Sequence, residues 1–315
     1  MPSKTILITG ASGFLGACLA RSLVDGGQDV HIVLRDRSRL WRLQDRLGDF
    51  SVHQADLMDY QSLSAVMKEV RPQTVYHLAA YGAYAHQKDL KASVETNLLG
   101  TMNLVNACGE YAESVVNAST SSEYGPKARP MREVDLPEPN SAYGVTKAAA
   151  TLYCQHMARE NGMPITTFRI FAAYGYYEEP IRLIPSLIIP FLKGDHPKLS
   201  SPDSVRDFIF VEDIIDAFTK AAKTRAARGQ ILNLGTGKQH TLGEVAAMVK
   251  DITGAGKDVQ WGAAQKRQAE PAVWRADMSK TRKVLGWKPK YGLRDGLRKC
   301  VGWYRANLAL YSAGF

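Results

Sequence analysis

The chain has 315 residues, 45% hydrophobic and 23% charged, and a net charge of +9 at pH 7. That length and balance describe a globular protein with one large domain and a smaller one, and exclude a disordered or low-complexity chain. Cys18, Cys108, Cys154 and Cys300 lie far apart without a C-x-x-C pair, and the histidines show no ligand spacing, so the sequence implies reduced thiols, a cytoplasmic location, no disulfide frame and no metal.

Thr5-Ile6-Leu7-Ile8 is a short apolar, β-branched run that reads as a buried strand and leaves no room for a signal peptide. It leads into Thr9-Gly10-Ala11-Ser12-Gly13-Phe14-Leu15-Gly16, and residues 17–24 follow with helical apolar spacing. Strand, glycine turn and helix form the phosphate-cradling start of a dinucleotide-binding unit. Gly10 permits the tight turn, Gly13 lets the backbone approach a pyrophosphate and Gly16 lets the helix pack close to the strand. Ser12, Phe14 and Leu15 complete the turn, and the helix end supplies free N–H groups and a positive dipole. The spacing is G-x-x-G-x-x-G, not the usual G-x-G-x-x-G.

Residues 30–34 form a second strand that ends at Arg35-Asp36-Arg37-Ser38. Asp36 has the spacing from the glycine turn expected of an acid that bonds the ribose 2′-hydroxyl. Arg35 directly follows the apolar run, however, and with Arg37 or Ser38 it suits a 2′-phosphate. The planar guanidinium tips the expectation towards NADP(H) over NAD(H). The densest basic stretch, Arg35 to Arg46, reads as a solvated helix face; the other lysines and arginines are dispersed, and no nucleic-acid motif interleaves aromatics with them.

His53-Gln54-Ala55-Asp56-Leu57 ends a third strand, where Asp56 either meets an adenine or caps a helix starting near Tyr60. Residues 74–78 form a fourth strand, with His77 as a core histidine. After Leu78, the small Ala79 and Ala80 let the backbone lie against a cofactor. A long helix over residues 88–111 carries Asn97, a poor helix former that is either a satisfied polar residue or one that orients groups in the site. Residues 114–118 form a fifth strand. This alternation implies an α/β fold, a doubly wound parallel sheet with helices on both faces.

Hydroxyls cluster next, in Ser119-Thr120-Ser121-Ser122-Glu123-Tyr124-Gly125, at the carboxyl edge where such sheets bind ligands. Tyr143 and Lys147 are four apart and share a face of an alanine-rich helix that runs to about residue 161. A lysine cation near a phenol lowers the phenol's pKa, which a tyrosine acid/base needs near neutral pH.

Together, the glycine turn, Asp56-Leu57, His77 to Ala80, Asn97, residues 120–125 and Tyr143 with Lys147 resemble the extended short-chain dehydrogenase/reductase family. The likeness is strongest to its nucleotide-sugar epimerase/dehydratase branch. That resemblance implies Tyr143 as acid/base and Lys147 as the residue that binds the nicotinamide ribose and tunes Tyr143. It implies Thr120 as the hydroxyl on the reacting oxygen, with the turn residues, Asp56, Leu57, Leu78, Ala79, Ala80 and Asn97 lining the cofactor. Residues 1–174 would form the Rossmann cofactor domain, with some later segments returning to it, and 175–315 mostly a smaller α/β substrate-binding region.

Later landmarks agree with the resemblance: residues 183–193, Arg206-Asp207-Phe208, Asn233 to Gly237, and Ala276-Asp277 before Leu285-Gly286-Trp287. The apolar run at 183–192, broken by Pro185 and Pro190, is too short to span a membrane. Arg206 and Arg267 match arginines that clamp a nucleotide diphosphate, which a guanidinium fork grips well. Ser121 and Ser122 would touch the sugar.

The same resemblance frames the reaction. Dehydratases of the branch carry an acidic pair just after the residue that matches Thr120, and here those positions are Ser121 and Ser122, with Glu123 one place late. Eliminating water needs an acid and a base there, which demotes the 4,6-dehydratase. Two further departures are Ala172, where an asparagine is common, and Tyr176-Tyr177, where proline is usual after Gly175. The expected enzyme is a C4 ketoreductase that uses NADPH on a nucleotide sugar. The alternative is a nucleotide-sugar 4-epimerase with bound NAD, and a non-catalytic dinucleotide sensor stands behind both. A homodimer paired through the helices of Asn97 and Tyr143 is implied, with neither nucleic acid nor membrane as partner.

Overall fold

The computed structural model describes residues 4–311, except 37, 85, 110 and 264–271. The first β-branched run forms β1 (Thr5–Thr9), with Leu7 and Ile8 fully buried, and the glycine turn carries the chain into α1 (Phe14–Asp25). The alternation continues through β2 (Asp29–Leu34), β3 (Ser51–Gln54), α2 (Tyr60–Val70) and β4 (Thr74–His77). The predicted helix over 88–111 is three pieces: α3 (Leu90–Val94), a π turn (Glu95–Leu99) and α4 (Gly100–Cys108). Next come β5 (Ser114–Thr120), α5 (Ala142–Glu160) and β6 (Ile165–Ile170).

The rest of the chain alternates short strands with helices. These are β7 (Ala172–Tyr174), α6 (Leu183–Lys193), β8 (Lys198–Leu199), β9 (Val205–Arg206), β10 (Phe208–Phe210) and α7 (Val211–Lys223). After them come β11 (Ile231–Leu234), β12 (His240–Thr241), α8 (Leu242–Thr253), β13 (Gln260–Trp261), α9 (Ser279–Leu285) and α10 (Leu293–Ala306).

Seven strands make one parallel sheet in the order β11-β6-β5-β4-β1-β2-β3. This is the doubly wound Rossmann arrangement, and β11 joins its far edge from late in the chain. The outward steps β1 to β3 and β4 to β6 leave β1 and β4 as neighbours at the point where the winding reverses. A crevice opens there at the strands' carboxyl ends.

Continuous apolar strands fit a sheet covered on both faces. One face packs Ile8, Ile32, Tyr76 and Phe168 against Ala17, Leu19 and Phe218. The other packs Leu7, Val33, Val75 and Val115 against Leu63, Met67, Leu104 and Val105. A third cluster joins α6, α8 and α10 through Leu187, Phe191, Val245, Val249, Leu297 and Val301. No helix among the described residues is long and apolar enough to cross a membrane. A cavity of about 640 Å³ lies between α1 and α7, over Ile6, Thr74 and Tyr76, and none of Thr120, Tyr143 and Lys147 lines it.

Candidate active site

The glycine turn sits in the crevice between β1 and β4. Gly10 has φ +73°, and a Cβ there would lie 2.4 Å from the Ala79 amide nitrogen. A Cβ on Gly16 would lie 2.1 Å from the Gly10 carbonyl oxygen. Only glycine allows both the turn's handedness and this closeness. Gly13 is the N-cap of α1 and no side chain caps it, so the helix presents bare backbone at its N-terminus. That cradle fits the pyrophosphate of a dinucleotide. The Leu78 N–H donates to the Thr9 carbonyl at 3.0 Å, which brings Leu78, Ala79 and Ala80 beside the turn. Phe14 and Leu15 are half-buried against the core. The Ser12 carbonyl is held from behind by Arg42 Nη1 at 3.1 Å, and the same guanidinium reaches the Tyr177 carbonyl and Glu179 at 2.7 Å each.

Past β2, Arg35 and Asp36 are exposed. The Arg35 N–H donates to Ser38 Oγ at 3.0 Å, so that hydroxyl is folded onto its own loop. Asp36 accepts from Gln54 Nε2 at 2.7 Å. Arg37 lies outside the described residues. Asp56 is exposed at the end of β3, and its carboxylate accepts from the Met58 N–H. The residue that caps α2 is Asp59, which accepts from the Gln61 and Ser62 N–H groups. Leu57 is buried, and a Cβ on Gly100 would come within 2.9 Å of it. His77 is a core residue: its ring bonds Thr9 Oγ1 at 2.7 Å and Thr101 Oγ1 at 2.9 Å, and burial holds its pKa down to about 3.

β5 runs two residues further than expected and delivers Thr120 to the crevice. Thr120 Oγ1 accepts from the Ser122 N–H at 3.1 Å, and the Thr120 hydroxyl acts to lower the pKa of Tyr143. Ser141 caps α5, so Tyr143 stands in the first turn and Lys147 one turn on. Lys147 is 1% exposed and donates to the Ala118 carbonyl at 2.8 Å. Burial lowers its pKa, against Glu123, which raises it. Burial pushes the Tyr143 phenol up to about 12, while the hydrogen bond with Thr120 and the charge of Arg182 pull it down. The foremost cation acting on Tyr143 is therefore Arg182, not Lys147, whose ammonium is drawn to β5.

Asn97 is fully buried in the π turn. Its carbonyl accepts from the Tyr81 N–H at 2.8 Å, and its amide donates to the Tyr81 carbonyl at 2.8 Å and to Thr146 Oγ1 at 2.9 Å. It ties the loop after β4 to the helix turn that carries Lys147. A π turn inside a helix is a frequent companion of functional sites.

Ser121 and Ser122 follow Thr120 in a short 3-10 turn (Ser121–Glu123). Glu123 points away into the fold, where it is fully buried. Its carboxylate accepts from Ser119, from Thr151 at 2.7 Å and from Arg169 Nε at 2.7 Å. The edge beside Thr120 is thus hydroxyl-rich, and the nearest acid in sequence is committed elsewhere.

Sequence reasoning did not find Trp274. Its indole Nε1 donates to Ser121 Oγ at 3.2 Å, and the Arg206 guanidinium lies 5.7 Å from its ring. Beside Arg206, Asp207 is fully buried and accepts from Thr236, Gly237 and Ala276, which fixes the position of its neighbour. Arg267 lies outside the described residues. Arg182 was missed as well: no motif marks it, and only the fold brings it to Tyr143.

A family model described as "NAD dependent epimerase/dehydratase family" matches residues 6–235. The chain is 29% identical to the UDP-glucuronate 4-epimerase of Thermodesulfobacterium geofontis, across 96% of this chain and 97% of that one. The UDP-glucuronic acid 4-epimerase of Bacillus cereus, solved with UDP-glucuronic acid and NAD, superposes with a TM-score of 0.84 at 27% identity, over 96% and 99% of the two chains. MoeE5, solved with UDP-glucose and NAD, does so at 0.83 and 33% identity, again over 96% and 99%.

These NAD complexes overturn the preference for NADP(H) drawn from Arg35. The physical reason lies at the end of β2. Asp36, oriented by Gln54, offers a carboxylate that accepts a ribose hydroxyl and repels a phosphate, and Ser38 is turned away onto its loop.

Proposed function

Because this chain belongs to the NAD dependent epimerase/dehydratase family, an enzyme family acting on nucleotide sugars, we propose that it is a nucleotide-sugar 4-epimerase working with NAD. The observation that carries this reading is the hydroxyl edge. Dehydration and decarboxylation both pass through an enol at C5 that needs a proton donor or acceptor beside it. Here Ser121 and Ser122 stand at that place, and Glu123 is locked in its ion pair with Arg169. The NADPH ketoreductase rested on Arg35 and loses its support with it.

The glycine turn, with Gly10, Gly13 and Gly16, would hold NAD, which when bound would supply hydride chemistry at C4. The chain's own groups handle the proton. Tyr143 takes it from the C4 hydroxyl as hydride leaves C4, and returns it when hydride arrives on the opposite face, so no net redox change results. Thr120 holds the reacting oxygen through both halves. In this reading Lys147, which donates to the Ala118 carbonyl, would meet the nicotinamide ribose.

The test is to assay the purified protein for bound dinucleotide by mass spectrometry and to incubate it with UDP-hexoses under proton NMR. Retained NAD and a C4 epimer formed without added cofactor are expected. Stoichiometric consumption of NADPH, or an alkene or pentose product, overturns the reading.

A further inference from the structure

We propose that Arg182 reads a carboxylate on C6 of the sugar, so that the preferred substrate is a nucleotide uronic acid; this rests on the epimerase reading for the placement of the C4 oxygen at Tyr143. In the loop after β4, Gly82 lies directly on the tyrosine: a Cβ there would sit 3.3 Å from Tyr143 Cβ. The next residue, Ala83, takes a long hydrogen bond of 3.5 Å from Arg182 Nη1, and the Arg182 guanidinium lies 5.9 Å from the ring of Tyr84. Arg182 therefore stands across that loop from the phenol.

Its donors are poorly engaged. Besides Ala83 it meets only Glu178 Oε1, from Nε at 3.5 Å, and Nη2 has no hydrogen-bond partner among the described residues. The side chain is 39% exposed, so the free edge of the fork opens outward. An unspent guanidinium fork calls for a carboxylate or a phosphate.

The pyranose decides which. A nucleotide sugar carries its diphosphate on C1, at the ring corner opposite C4, and its C6 group on C5, adjacent to C4. A cation beside the holder of the C4 oxygen meets the C3 hydroxyl or the C6 substituent, not the diphosphate, and of these two only C6 can carry a charge, as a carboxylate. A separate cation, Arg206, lies beside Trp274, whose indole bonds Ser121, and in this reading it would meet the diphosphate. Glu178 does not cancel the charge of Arg182. It reaches only the Nε edge, and burial holds its carboxyl up at about 7, so at neutral pH it is only partly ionised.

The test measures dissociation constants of the NAD-loaded protein for UDP-glucuronate and UDP-glucose by calorimetry, in wild type, Arg182→Gln and Arg182→Lys. Wild type should bind UDP-glucuronate the tighter. Arg182→Gln should weaken UDP-glucuronate about 10- to 100-fold, the worth of a hydrogen bond to a charged group, and leave UDP-glucose within about twofold. Arg182→Lys, which keeps the charge without the fork, should fall between and serves if the glutamine variant fails to fold. Equal losses for both ligands, as from a diphosphate contact, or no loss for either, overturn the proposal. A binding preference without any 4-epimer formed supports the role of Arg182 and sinks the reaction assigned above.

Discussion

Tyr143 carries a phenol that burial holds up at about 12, so the protein's own groups keep it protonated at neutral pH. In the proposed reaction it would serve as an acid in this form, and it would act as a base only with further positive charge nearby, such as an oxidised nicotinamide would bring. Tyr143→Phe removes the hydroxyl proposed to exchange the proton. Its turnover should fall by about 10²–10⁴, the usual worth of general acid–base catalysis, while bound NAD and the melting temperature stay at wild-type values. Near wild-type turnover would pass the proton to another group. Glu178 supplies a second prediction. It is 3% exposed, its Oε2 has no partner among the described residues, and burial raises its pKa from 4.5 to about 7. The folded state therefore favours the protonated form. The stability this adds is complete below pH 4.5 and is lost as pH rises to about 7, a drop of about 3 kcal/mol at 1.36 kcal/mol per pKa unit. Glu178→Gln should flatten that decline, and melting temperatures of both proteins from pH 4.5 to 8.5 would show it. Parallel curves for the two proteins count against the assignment.

Among the elements, the glycine turn and the strands were legible because each is local: a β-branched run or a glycine at fixed spacing carries its own conformational preference. The helix around Asn97 was legible in place but not in form. Its apolar spacing is continuous, whereas the break comes from a side chain reaching a loop 16 residues back and from Gly100 closing on Leu57. Arg182 and Trp274 were not legible. They meet Ala83 and Ser121 across separations of 99 and 153 residues, and no spacing rule spans such distances. Arg35 misled for a related reason: residue type suggested a phosphate, while the neighbouring carboxylate, Asp36, is oriented by Gln54 from another strand. The π turn itself is testable. Asn97→Ala leaves the Tyr81 N–H and carbonyl unmet in the interior, at about 1–3 kcal/mol of stability. It also removes the bond from Asn97 to Thr146 Oγ1, one residue from Lys147, so NAD affinity should fall with the melting temperature. Unchanged NAD affinity in a destabilised variant would reduce Asn97 to a packing residue.

At the scale of the whole molecule, the sheet accounts for the apolar faces of most helices, but one stripe is left over. On α5 the buried residues include Lys147, Ala148 and Thr151, which face the sheet and the site. Val145 and Leu152, two turns apart on the far side, are 52% and 58% exposed. The neighbouring π turn adds Leu99 at 38%, and α4 packs against α5. Two adjacent helices with an outward apolar stripe would make half of a four-helix bundle, and we propose that a second copy of the chain related by a two-fold axis would supply the other half. The helix that would be gripped is the one that carries Tyr143 and Lys147, so dimerisation would also stiffen the catalytic turn. Light scattering at micromolar concentration should give twice the chain mass. Leu152→Glu places a charge in the centre of the stripe and should yield monomers with reduced turnover but the same bound NAD. A monomeric wild type, or a Leu152→Glu protein that still dimerises, would move the interface elsewhere or abolish it.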